Sequence, residues 1–394
     1  MPYHGVDYLA LDDLLTEEER LVRDTFRRFA EDELMPIVAG HFRAGTFPKW
    51  LPKKLGELGA LGAHLHGYGC AGLNPVAYGL IMQELERVDS GFRSFASVQG
   101  SLAMYPIWKF GSDAQKERWL PRMAAGEAIG CFGLTEPDFG SNPTGMRTSA
   151  KRTASGWLLN GEKRWITSGG IADIAVVWAQ TDEPGEQDHK VVRGFLVERG
   201  TPGFTTRDIE GKFSLRASVT SELIFEDCAL PESAVLPGVR GMRGPLSCLS
   251  EARFGICWGV IGAASACYDE ALSYCKDRVQ FSRPIAGYQL VQQKLVDMLE
   301  DISNAQNLAL RLGRLKEAGK LRPAQVSLAK RHNVRIALAA ARNARDLLGA
   351  NGITDEYQAG RHSCNLESVF TYEGTDHIHT LIVGQDITGL PAFE

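Results

Sequence analysis

The chain has 394 residues, 44% hydrophobic and 23% charged, with a net charge of −5, the proportions of an ordinary globular protein with two or three structural units. Acidic and basic residues are interspersed throughout, which excludes the basic face of a nucleic-acid binder. No apolar run approaches the roughly 20 residues of a membrane span.

The region 1–128 reads as helices. Thr16 and Glu19 form a capping box ahead of Leu21, Val22, Phe26 and Phe29, which share one helical face. Asn74-Pro75 starts another helix, expected to bury Leu80, Ile81, Leu85 and Val88 and to reach Gly91. The region 129–238 changes to short strands. Gly156 to Thr167 reads as a hairpin turning at Asn160-Gly161, because Asn-Gly suits a type I′ turn. Apolar runs at 174–178, 194–197 and 221–225 complete a small all-β unit. In 239–394 three long helical patterns follow, at 254–279, 289–318 and 323–348, then a last one after Thr375. The expected fold is α+β: an all-α domain, a small β-barrel or sandwich, and a four-helix bundle.

The eight cysteines contain no CxxC pair, a pattern of reduced, buried thiols. The N-terminal segment is acidic, without the basic start of a signal peptide or the arginines of a transit peptide. Both point to the cytoplasm, or to an already processed organellar chain. Gly67 to Gly72 matches GxGxxG but lies between helices, where the dinucleotide-binding strand is missing. The pairs His64/His66 and His377/His379 lack further ligands, so no metal site is expected.

Three segments carry chemistry. Glu373, within Tyr372-Glu373-Gly374-Thr375, is by itself an acidic residue favoured at a helix start. Phe132 to Ser141 is rich in glycine and hydroxyl groups, suited to a phosphate or the edge of a flavin ring. Trp165 and Thr167 share one side of a strand, where an aromatic face and a hydroxyl would receive a ring; a strand tryptophan on its own is core.

Together these segments resemble the acyl-CoA dehydrogenase family along essentially the whole chain, and within it the decarboxylating members that act on glutaryl-CoA. The resemblance implies FAD as cofactor and Glu373 as the base that removes the α-proton. It places Phe132, Leu134, Thr135, Gly140, Ser141, Trp165, Ile166 and Thr167 on the flavin and its pyrophosphate, with Thr375 and His377 nearby. Arg278, Phe281, Gln289, Asp346, Gly349 and Ala350 resemble the family's contacts to FAD from a neighbouring subunit, which implies a homotetramer. Ser141, Arg253, Tyr372 and Gly374 fall at substrate positions.

Arg93 is expected to grip the distal carboxylate of a dicarboxylic acyl chain in a bidentate pair, with Ser94 adding a hydroxyl. Glu86, seven residues earlier, would share its helix face and orient it. Outside the family, Arg93 reads as one half of a surface ion pair. Tyr372 resembles the residue before the base in decarboxylating members, which implies crotonyl-CoA and CO2 as products. An electron-transferring flavoprotein is implied as acceptor. Another carboxylate-bearing or short-chain acyl-CoA, a non-decarboxylating enzyme, an oxidase and a flavin-free scaffold stay open. The chain departs from the family at Ser168 (usually Asn), Ser282 and Ala350 (Gly), Ser250-Glu251 (an Asn pair) and Asp376-His377 (reversed order).

Overall fold

The structure, a computed structural model, describes residues 6–184 and 191–392; the chain's first five residues, part of the acidic N-terminal segment, lie outside them. Helix α1 (Glu17–Phe29) opens on the expected box: Glu19 N–H donates to Thr16 Oγ1 at 3.2 Å, and Thr16 N–H to the Glu19 carboxylate at 2.8 Å. It runs through a wide turn into α2 (Met35–Ala44), followed by α3 (Leu51–Glu57). Asn74 caps α4 (Pro75–Val88), which is buried over nearly its whole length.

The helix from Pro75 was expected to reach Gly91; it stops at Val88. Asp89 is extended, and its carboxylate accepts from Gly91 N–H at 2.7 Å and from the Asn365 side chain at 2.8 Å. Such a side-chain acceptor gives the backbone an alternative to the helix. Asp89 thereby ends one helix and caps the next, α5 (Ser90–Ser97), which leads into α6 (Tyr105–Phe110) and α7 (Asp113–Ala124).

The strands are β1 (Gly130–Gly133), β2 (Ser149–Thr153), β3 (Gly156–Thr167), β4 (Ile174–Thr181), β5 (Val192–Glu198), β6 (Phe204–Asp208) and β7 (Thr220–Pro231). They form one seven-stranded sheet in the order β1-β4-β2-β3-β7-β6, with β5 on β4; β1 and β2 run parallel to β4, the other pairs are antiparallel. Along β4, Ile174, Val176 and Trp178 enter the large core shared with the helices, whereas Ala175, Val177 and Ala179 enter the sheet's own core. A strand buried on both faces reads as an unbroken apolar run.

The turn expected at Asn160-Gly161 is absent. The chain reverses at Ala154-Ser155, and β3 continues through Asn160-Gly161 with a bulge against β7. Asn160 serves the bulge: its side chain accepts from Asp227 N–H at 2.8 Å and donates to the Asp227 carboxylate at 3.1 Å. Gly161 lets Thr148 approach, since a Cβ there would meet it at 2.6 Å.

The C-terminal helices are α8 (Arg243–Asp277), α9 (Gln289–Glu317), α10 (Pro323–Leu347), α11 (Ala359–Thr371) and α12 (Asp376–Thr388). The first begins at Arg243 rather than Phe254, and α11 was not expected as a helix. A two-residue hairpin, β8 (Val279–Gln280) with β9 (Arg283–Pro284), turns at Phe281-Ser282, both with positive φ. Among the described residues no helix is long and apolar enough to cross a membrane.

Candidate active site

Tyr372 closes α11 and Thr375 caps α12, so Glu373 and Gly374 form the link between two helices. Glu373 has φ 52° and Gly374 φ 97°. A left-handed non-glycine residue costs about 1–2 kcal/mol, so neighbouring contacts must hold it. Arg253, from α8, donates Nε–H to Glu373 O at 2.7 Å, and Lys330, from α10, donates to Tyr372 O at 2.8 Å and Gly374 O at 2.7 Å. Gly374 is required, because a Cβ would stand 2.8 Å from the His379 ring.

The Glu373 carboxyl has a buried oxygen, Oε2, with no hydrogen-bond partner among the described residues. Burial raises its pKa above the ordinary 4.5, against the opposing pull of Arg93, Arg253 and Lys330. A carboxylate so destabilised is a better base than one in water.

Arg93 is completely buried. Its Nε–H donates to Glu86 Oε2 at 2.6 Å, Nη2 reaches Glu86 Oε1 at 3.4 Å and also the Tyr372 hydroxyl, and Nη1 has no hydrogen-bond partner among the described residues. The expected Glu86–Arg93 pair therefore exists, but across the break at Asp89 and not along one helix. With Nε and Nη2 committed, Nη1 is the guanidinium nitrogen left open among the described residues.

Ser94 is buried but lies about 100° around the helix from Arg93. Ser97, one turn on and on the Arg93 face, has a buried hydroxyl close to the Tyr78 phenol.

On the sheet, Arg164 N–H donates to Thr135 O at 2.9 Å, placing the β1 exit beside the end of β3. A second bulge, between Lys163 and Ile166, puts Trp165 at φ 64°. Trp165 is 56% exposed while Ile166 is buried. The bulge, rather than simple alternation, turns this indole outward. Thr135 and Thr167 are half-buried, and their hydroxyls make no hydrogen bond among the described residues. Buried Lys163 donates to Leu134 O at 3.0 Å and Glu136 Oε1 at 2.8 Å, fixing this corner.

The Phe132, Leu134 and Ile166 side chains are core, so only their backbones are free to meet a ligand. Gly140 and Ser141 are exposed on the loop after β1, and a Cβ at Gly140 would meet nothing within 4 Å. Thr375 uses its hydroxyl oxygen to accept from Ile378 N–H at 3.2 Å, and His377 is exposed. Arg278, Gln289, Asp346, Gly349 and Ala350 are exposed, Asp346 pairing with Lys294, and Phe281 is 91% exposed. The loop before β7 joins the sheet to α11: Leu215 N–H donates to the Asn365 side chain at 2.7 Å.

Sequence models for the N-terminal, middle and C-terminal domains of acyl-CoA dehydrogenase match residues 16–127, 131–228 and 239–388. The human mitochondrial short-chain specific acyl-CoA dehydrogenase is 36% identical over 94% of this chain and 90% of its own length. The chain belongs to the acyl-CoA dehydrogenase family. Its structural neighbours include a glutaryl-CoA dehydrogenase of Mycobacterium smegmatis, crystallised with FADH2, at 53% identity and a TM-score of 0.96 over all of both chains. A glutaryl-CoA dehydrogenase in complex with glutaryl-CoA is 30% identical, with a TM-score of 0.90 over 95% of this chain and 96% of that one.

Acyl-CoA dehydrogenases are FAD enzymes, and the residues here fit that group: an exposed indole beside two unclaimed threonine hydroxyls offers a ring both a face and edge contacts. The family departures have local explanations in two places. Asp376, in place of the usual His, pairs through both oxygens with Arg335 at 2.6 Å. Glu251 pairs with Lys316.

Proposed function

We propose that this protein oxidises and decarboxylates glutaryl-CoA to crotonyl-CoA and CO2. The observation that carries the substrate is Arg93: fully buried, balanced by Glu86, and left with one unpartnered nitrogen beside Tyr372 and Glu373. A methyl-ended acyl chain gives such a nitrogen nothing to bind, whereas a distal carboxylate satisfies it. The Ser94 hydroxyl remains the expected partner of that carboxylate, and the Ser97 hydroxyl, on the Arg93 face of the helix, is a further donor for it.

Glu373, kept basic by burial, removes the α-proton. The unclaimed amide N–H of Glu373 is available to the thioester oxygen as negative charge develops there. FAD, when bound, supplies the acceptor for the hydride leaving the β-carbon. The residues that would hold it are Trp165, Thr135, Thr167, the backbone of 132–135, and the Gly140-Ser141 loop. Arg278, Phe281, Gln289, Asp346, Gly349 and Ala350 would reach the FAD of a second subunit in a homotetramer. The exposure of Val279, Phe281 and Leu290 around the β8–β9 hairpin supports that reading, since grouped exposed apolar side chains mark a contact surface.

Oxidation alone gives a γ-carboxylated enoyl thioester. Loss of CO2 leaves its electron pair as a dienolate, and the proton now on Glu373 completes crotonyl-CoA. The electrons then pass to an electron-transferring flavoprotein, a proposal supported by family kinship. The test of the base is Glu373→Gln: the variant is expected to retain FAD and bind acyl-CoA with flavin reduction slowed at least ~100-fold. Near-normal reduction would remove Glu373 from the role.

A further inference from the structure

Three successive carbonyls, of Tyr372, Glu373 and Gly374, are all taken by cations, the half-buried Arg253 and the buried Lys330. Lys330 contributes two of the three bonds and is 1% exposed. A fully buried lysine without a carboxylate hydrogen-bonded to it is uncommon, so its place between these carbonyls calls for a reason. A peptide's C=O and the following N–H point in opposite directions. Turning the Tyr372 and Glu373 carbonyls inward therefore turns the Glu373 and Gly374 amides away from the cations. Neither amide donates a hydrogen bond among the described residues.

We propose that Lys330 is a positioning residue for Glu373: by clamping the carbonyls on either side, it holds the left-handed turn that presents the Glu373 carboxylate and amide to the acyl thioester. The inference rests on the reading of Glu373 as the base. Arg253 secures the middle carbonyl, and Lys330 secures the turn's two ends.

The clamp also carries charge. Facing Lys330 are Glu373 and Tyr372 on the turn, Arg253 and Cys257 on α8, Arg93 on α5 and His379 on α12. Burial pushes the lysine down to about 7, with Arg253 and Arg93 adding to the fall and Glu373 opposing it. His379 is pushed down to about 3 by burial and stays neutral. A charged amine has three N–H donors and a neutral one has two, so both carbonyls are served in either state. The hold on the turn persists above about pH 7, while the pull on the Glu373 carboxylate fades.

The test compares the holoenzyme with Lys330→Met, which removes donor and charge, and Lys330→Gln, which keeps N–H donors but removes the charge. Infrared difference spectra across pH, assigned by subtracting Glu373→Gln, follow the Glu373 carboxyl directly. Hydrogen exchange follows the amides of 372–375. The expected result is a Glu373 titration about one pH unit higher in both variants, with turn amides exchanging about tenfold faster in Lys330→Met only. A folded Lys330→Met protein with wild-type titration and exchange overturns the proposal. If that variant does not fold, an unshifted titration in Lys330→Gln overturns it. A lower melting temperature with unmoved titration and exchange would reduce Lys330 to packing, and also overturns it. Failure of the base assignment shows separately, as flavin reduction surviving in Glu373→Gln.

Discussion

The sharpest consequence of the site concerns the free nitrogen of Arg93. If Nη1 holds the distal carboxylate of the substrate, that contact is a charge-assisted hydrogen bond worth about 1.5–3 kcal/mol net, or roughly 10–150-fold in kcat/KM. Arg93→Gln alone is a poor probe, because it strands Glu86 as a buried unpaired carboxylate, a loss of about 3–5 kcal/mol in stability. The double variant Glu86→Gln/Arg93→Gln removes both charges together, with an isosteric change at Glu86 and a shorter side chain at Arg93. Stopped-flow reduction and steady-state rates would be measured with glutaryl-CoA and with butyryl-CoA, whose chain lacks the carboxylate. The ratio of kcat/KM for the two is expected to fall by roughly 10–150-fold, carried by glutaryl-CoA. An equal loss with both substrates would refute the reasoning and make Arg93 a structural residue.

The Glu373 pKa is raised, so the native state holds this proton more tightly than the unfolded chain does. The carboxyl's contribution to stability is present below about 4.5 and is lost as pH rises through the folded value. Glu373→Gln should accordingly be more stable than wild type at about pH 7 and not at about pH 4 by denaturant melts; the opposite order would mean that the carboxylate is well solvated or well paired. Ser282, at φ 65° in the β8–β9 turn, holds a conformation natural to glycine; Ser282→Gly should stabilise the protein by about 0.5–1 kcal/mol after the entropy of the unfolded chain is counted, and an unchanged or lower denaturation midpoint contradicts this. Phe281→Ser should shift the sedimentation velocity towards smaller species and lower the FAD content, whereas an unchanged assembly removes Phe281 from the interface.

The order of helices, strands and helices was legible because the period of the apolar residues changes where the chain enters and leaves the sheet. Capping at Thr16 and Asn74 was legible because it is local. The Asn160-Gly161 turn was misread because the same pair that suits a hairpin also suits a bulge, and only the partner strand with Asp227 decides between them. Glu86 and Arg93 were paired correctly on a wrong premise. The break at Asp89 depends on Asn365, far along the chain, which no helical spacing encodes. Lys163 and Lys330 passed unnoticed for a related reason. A lysine in an amphipathic pattern reads as a solvated face, and its burial against carbonyls is set by tertiary packing.

The most direct test of the account is anaerobic addition of glutaryl-CoA to the purified flavoprotein, following the flavin absorbance and then analysing the acyl-CoA product. Bleaching that yields crotonyl-CoA and CO2 is the predicted result. Bleaching by butyryl-CoA but not by glutaryl-CoA would contradict the account, because the free nitrogen of Arg93 would then have no carboxylate to serve.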